Sequence, residues 1–179
     1  IGLRWPLAKA TIICGDSKEV LKTLESGSVD CVITSPPYWN LRDYGVEGQL
    51  GLEQTFEEFL EKLCAIFDEV RRVLKKDGSC YVNLGDTYSG NKKGKTDNKV
   101  SDYLKETTTR LNKKVGSLPE KSLSLIPSRF AIEMVNRGWI LRNDIIWHKK
   151  NAMPSSVLDR ITNKYEHVFF FTKSQRYYF

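Results

Sequence analysis

Val29-Asp30-Cys31-Val32-Ile33-Thr34-Ser35-Pro36-Pro37-Tyr38-Trp39 divides into two parts. The first five residues are short, apolar and rich in β-branched side chains, the pattern of a buried strand. The strand must stop at Pro36-Pro37. Two successive prolines remove two backbone donors and keep the residues before them out of the helical region. The carbonyls of Ser35 and Pro36 are then left without ladder partners at the carboxyl end of a strand, where open α/β sheets bind ligands. A hydroxyl, two rigid carbonyls and the Tyr38 ring stand together there. That set suits a flat, amine-bearing ligand such as a nucleobase.

Upstream, Ala10–Cys14 reads as a strand ending at Gly15-Asp16. Asp16 or Ser17 then caps a helix whose apolar face is Val20, Leu21 and Leu24. Strand, helix and strand at this spacing predict a βαβ unit with its two strands parallel. Downstream, a Gly-rich polar loop over 40–51 leads to Thr55, which caps a long helix. Phe56, Phe59, Leu60, Leu63, Ile66, Phe67, Val70 and Leu74 share its apolar face. Lys75-Lys76-Asp77-Gly78 stops it. Ser79–Leu84 is the next strand, ending at Gly85-Asp86. A helix from Pro127 to Arg137 follows later, then strands over Trp139–Trp147 and Glu166–Thr172. There is no internal repeat.

The 179 residues are 40% hydrophobic and 28% charged, a globular profile with enough chain for one core. No apolar run is long enough to span a membrane, and the first ten residues lack a secretory pattern. Four scattered cysteines without CxxC spacing read as small buried hydrophobes in a reducing compartment. His148 and His167 have no ligand-spaced neighbours, so no metal site is expected. Net charge is +6, and residues 91–121 hold nine Lys/Arg against four Asp/Glu. Nearly all the excess positive charge therefore sits in one polar insertion, about 89–121, too long for an ordinary connection. Lys92, Lys93, Lys95, Lys113 and Lys114 in it suit contacts to a DNA backbone, which give affinity without sequence information. A solvated surface loop is the other reading of each.

Gly15-Asp16, Thr34–Tyr38, Asn83-Leu84-Gly85-Asp86 and Trp147-His148-Lys149-Lys150-Asn151, in that order, resemble the motifs of the amino-methylating DNA methyltransferases. The likeness runs from about Ala10 to the end of the chain. Enzymes of this family transfer a methyl group from S-adenosylmethionine to the exocyclic amine of cytosine or adenine. The resemblance implies a Rossmann-like three-layer α/β sheet, mostly parallel with an antiparallel edge strand. It also implies double-stranded DNA as substrate, a cognate restriction endonuclease as partner, and a cytoplasmic place in a prokaryote or phage-infected cell. The Pro-Pro motif stands near the amino terminus, as in the permuted class whose cofactor Gly motif follows the catalytic half. That motif, F-x-G-x-G, is absent here. Residues 1–179 are accordingly read as the catalytic half of a methyltransferase domain, incomplete in this chain.

The family's residue roles transfer position by position. Ser35, Pro36, Pro37 and Tyr38 form the catalytic set. An aromatic exocyclic amine is a poor nucleophile because its lone pair is delocalised into the ring. Hydrogen bonds from it to the Ser35 hydroxyl and the Pro36 carbonyl would hold it nearer tetrahedral, with Tyr38 stacked on a base flipped out of the duplex. Asp16, Thr34 and Ser35 are expected at the cofactor, and Trp39, Asn83, Asp86, Trp147 and Asn151 around the target base. Each of several has a purely structural alternative: a helix cap for Asp16, a turn for Asp86, core packing for Trp39 and Trp147. Ser at the first motif position resembles the cytosine-N4 enzymes, whereas adenine-N6 enzymes more often carry Asp there. An adenine methylase, a protein-glutamine methylase and a DNA-binding module without catalysis are the other readings.

Overall fold

The computed structural model describes residues 9–89, 118–152 and 157–178. Four strands, β1 (Val29–Thr34), β2 (Leu74–Leu84), β3 (Ile140–His148) and β4 (Tyr165–Thr172), form one sheet in the order β1-β2-β4-β3. β1 is parallel to β2, and β4 is antiparallel to both β2 and β3. Three strands therefore run one way, and the single reversed strand, β4, lies inside the sheet rather than at its edge. The helices are α1 (Ser17–Thr23), α2 (Phe56–Val73) and α3 (Ile126–Asn136).

The long helix forms for the reasons its sequence gives. Thr55 accepts from the Glu58 N–H at 3.2 Å, satisfying one of the first-turn donors. Phe56, Phe59, Leu60, Leu63, Cys64, Phe67, Val70 and Val73 are buried along one face. That face, with Phe130 and Met134 of α3, packs on Cys80, Val82 and Leu84 of β2 and Phe169 and Phe171 of β4. Each such apolar side chain contributes about 1.5–3 kcal/mol on full burial. Arg137 also ties α2 to α3, reaching Glu61 at 2.5 Å, Asp68 at 2.6 Å and Glu133 at 2.9 Å. Those carboxylates are largely exposed, so each pair is worth at most about 1 kcal/mol and the apolar contact dominates.

The opposite sheet face is different. Ile33, Ile145 and Trp147 point to it and are exposed, Ile33 to 80%. Among the described residues no helix covers this face, so two of the three expected layers are described.

Three local expectations are corrected. Ala10–Cys14 is not a strand; Ile12 is 95% exposed, and no described strand lies beside this segment to take its ladder bonds. The parallel partner of β1 is β2 instead, across the α2 crossover. β2 begins at Leu74, directly after α2, with a register shift opposite Val29–Cys31 that absorbs Lys75–Gly78. Cys14 and Cys31 are exposed; only Cys64 and Cys80 are buried.

Candidate active site

The site is built where β1 ends. Thr34 pairs with Val82, so the chain leaves β1 beside Asn83, the next residue of β2. Asn83 ties the Ser35–Tyr38 stretch together. Its Oδ1 accepts from the Tyr38 hydroxyl at 2.7 Å and from Ser35 Oγ at 3.3 Å. Its Nδ2 donates to the His167 carbonyl at 3.1 Å, which fixes the direction in which the amide faces. Ser35 thus spends its one hydrogen on Asn83 and keeps its lone pairs for another donor. Outside the sheet, no described backbone N–H bonds to the carbonyl of Ser35 or Pro36.

Tyr38 is held on three sides. A Cβ built on Gly85 would lie 2.5 Å from its ring, so only glycine leaves the ring where it is. A Cβ on Gly51, whose φ is +100°, would lie 3.0 Å from the Tyr38 carbonyl. The Tyr38 hydroxyl also lies 3.1 Å from Glu166 Oε2, and the other oxygen of Glu166 pairs with Lys149 Nζ. Burial, with help from the Glu166 charge, pushes the Tyr38 phenol up to about 12. It therefore remains a neutral donor at ordinary pH.

Ser35, Pro36, Pro37 and Tyr38 line a cavity of about 300 Å³, closed by Leu41, Arg42, Tyr44 and Glu166. The loop that supplies the first three of these closing residues is shaped by Gln49. Its amide accepts from the Tyr44 N–H at 2.6 Å and donates to the Arg42 carbonyl at 3.0 Å. A second cavity, about 360 Å³, shares Tyr38, Leu41 and Glu166 and is lined also by Gly85, Asp86, Leu125 and His167.

The other expected residues are distributed as follows. Asn83 stands at the centre of the site. Asp86 borders the second cavity and also serves as a cap: its Oδ1 accepts from Thr87 N–H at 2.8 Å and from Ile126 N–H at 3.1 Å at the start of α3. Burial raises its carboxyl above the usual range, against the pull of those N–H groups. Trp39 is not a pocket wall. It is 2% exposed, packs edge-on to Phe56 at 6.2 Å and donates its indole N–H to the Glu53 carbonyl at 3.2 Å, because the loop after Pro37 turns its ring into the core. Trp147 is neither core nor lining; it is exposed, with Lys149 Nζ 5.7 Å from its ring centroid. Asn151 is exposed and lines neither cavity. Asp16 caps α1, accepting from the Lys18 N–H at 2.8 Å. Lys92, Lys93, Lys95, Lys113 and Lys114 lie outside the described residues. Arg42, Tyr44 and Glu166 are lining residues that motif reading missed.

This fold, a mixed sheet with a proline-broken strand end facing a hydrogen-bonded pocket, has clear relatives. A DNA methylase family model of the N6/N4 type matches residues 29–179. The chain is 47% identical over 173 residues to the Type II methyltransferase M.XycI of Xanthomonas campestris pv. cyanopsidis, covering 97% of this chain and 57% of that protein. It is 45% identical over 170 residues to M.Cfr9I of Citrobacter freundii, covering 95% and 56%. Among solved structures, the PvuII DNA methyltransferase (cytosine-N4-specific) superposes with a TM-score of 0.62 at 24% identity, covering 91% of this chain and 49% of that one. A DNA modification methylase of Thermus thermophilus, solved with S-adenosyl-L-methionine, gives 0.60 at 24% identity, covering 92% and 53%. The chain belongs to the DNA methylase family. It spans just over half the length of those two Type II methyltransferases.

Proposed function

We propose that this chain holds the target base in a site-specific DNA methyltransferase that moves a methyl group from S-adenosylmethionine to N4 of a flipped cytosine. The observation that carries the reading is the shared Asn83 oxygen. By taking the hydrogens of both Ser35 and Tyr38, it leaves Ser35 as an acceptor beside the Pro36 carbonyl. An exocyclic amine carries two hydrogens, and these are two acceptors for it. Binding both draws the nitrogen out of conjugation and presents its lone pair, and prolines fix the carbonyl in advance so that nothing need reorganise. The Tyr38 ring, locked by Gly85 and its hydroxyl bonds, offers the stacking face.

The cavity, about 300 Å³, lies at the small end of ligand pockets, ~300–1,000 Å³. It suits one base, not a base with the cofactor. The open edge of β1 and the uncovered face around Ile33 leave room for the cofactor next to Thr34 and Ser35, with Asp16 as a further acceptor. When bound, the cofactor supplies an electrophilic methyl group on a sulfonium leaving group. Reaching a paired amine requires the base to leave the duplex. The basic insertion around 89–121, with Lys92, Lys93, Lys95, Lys113 and Lys114, is assigned to the DNA backbone. A cognate restriction endonuclease is the expected partner, in line with the Type II names of the relatives. Ser35 in the first motif position supports cytosine over adenine, and so does the cytosine-N4 neighbour. Digesting DNA exposed to the protein and radiolabelled cofactor, then separating the nucleosides, tests the reading: label in N4-methylcytosine supports it, and label in N6-methyladenine overturns the choice of base.

A further inference from the structure

Methyl transfer to an amine leaves a surplus proton on nitrogen, and Ser35, Pro36, Tyr38 and Asn83 offer no group to take it. Ser35 and Tyr38 are hydroxyls that already donate, and Asn83 is a neutral amide whose orientation is fixed by His167. Among the described residues, the one carboxylate lining the cavity with Ser35 and Pro36 is Glu166. Its contact with Tyr38 is short of one hydrogen. The phenol oxygen stands 2.7 Å from Asn83 Oδ1 and 3.1 Å from Glu166 Oε2, yet it has a single hydrogen to give to these two acceptors. A proton arriving on Glu166 Oε2 would supply the missing one: Glu166 would donate to Tyr38, and Tyr38 to Asn83.

We propose that Glu166 is the proton acceptor of this site, the group that takes the amine proton during methyl transfer. This rests on the methyltransferase reading and deepens it. The amine lone pair forms the new N–C bond. The C–S bond breaks, and its electron pair stays on sulfur, discharging the sulfonium. The N–H proton then passes to Glu166, directly or over one water, and the methylated base leaves neutral. Lys149 holds the other carboxylate oxygen, and its own backbone N–H is anchored on the Lys164 carbonyl at 2.7 Å, so the carboxylate is braced from the β3–β4 end of the sheet. The Glu166 side chain is 17% exposed, which gives the proton a way out to solvent after each turnover.

The test is single-turnover methyl transfer with DNA and cofactor pre-bound, comparing the protein with Glu166→Gln and Glu166→Ala. Glu166→Gln keeps the shape and can still accept from Lys149 through its oxygen, with its amide N–H turned to the Tyr38 oxygen, but it cannot take a proton. The expected result is a loss of about a hundredfold in the transfer rate with DNA affinity within twofold of the original. Added formate should restore Glu166→Ala in a concentration-dependent way. Wild-type rates in Glu166→Gln would overturn the proposal. A loss in Glu166→Ala that formate does not restore would also overturn it, reducing Glu166 to a prop for Tyr38. If the unmodified protein, with DNA and cofactor both shown to be bound, transfers no methyl group, the methyltransferase reading itself fails, a result distinct from normal transfer with an unimpaired Glu166→Gln.

Discussion

Gly85 stands against the ring of Tyr38 so closely that a single added methyl group would lie 2.5 Å from the ring carbon Cε2. The first residue after β2 thus sets the position of the aromatic face that β1 delivers. Gly85→Ala should displace the ring and break at least one of its hydroxyl bonds. We expect methyl transfer to fall more than tenfold and unfolding free energy to drop by about 1–3 kcal/mol, as for overpacking. Urea unfolding and a methylation assay on the same preparation check both.

Ser35→Ala removes one of the two acceptors proposed for the amine, at a residue proposed to hold the target amine alone. The transfer rate should fall about a hundredfold, comparable to losing one preorganised group at a reacting centre. Affinity for DNA should stay within twofold in a fluorescence anisotropy titration. Unchanged turnover would show that Ser35 does not touch the reacting amine.

Asn83→Asp keeps the acceptor for Ser35 and Tyr38 but loses the donor to His167, turning a carboxylate oxygen toward a carbonyl. An unpaired polar contact of this kind costs about 1–3 kcal/mol. The chemical-denaturation midpoint should drop at pH 8 and recover part of the loss at pH 5, where the introduced carboxyl picks up a proton and can donate again.

Alkaline pH should loosen the fold through Tyr38. Its phenol has an ordinary value of 10.0 and stands at about 12 when folded. Above pH 10 the unfolded chain releases this proton while the folded one keeps it, so stability from Tyr38 is complete below pH 10 and is lost as pH rises to about 12. Cys64 and Cys80, also raised to about 12 by burial, add to the same decline from about pH 9. The part due to Tyr38 is the difference between the protein and Tyr38→Phe: the substituted protein should show the shallower fall between pH 10 and 12.

What the sequence made legible follows from how local each constraint is. Pro36-Pro37 dictates its own strand end whatever surrounds it, so the Ser35–Tyr38 stretch was readable at once, and Thr55 with its apolar periodicity fixed α2 almost to the residue. Glu166 was not readable as a site residue. It reaches Tyr38 across 128 positions through the pairing of β4 with β2, and nothing around it in the chain announces that contact. Trp39 misled for the opposite reason: it sits next to Tyr38 in sequence, but the turn sends its ring to Phe56 and Glu53. Ala10–Cys14 has the composition of a strand, and composition cannot supply a neighbour to pair with.

The most direct test of the account is the identity of the methylated nucleoside. DNA incubated with the protein and methyl-labelled S-adenosylmethionine, digested and resolved by mass spectrometry, should carry its label in N4-methylcytosine, and Ser35→Ala should nearly abolish it. Label in N6-methyladenine, or equal label from Ser35→Ala, would contradict the account.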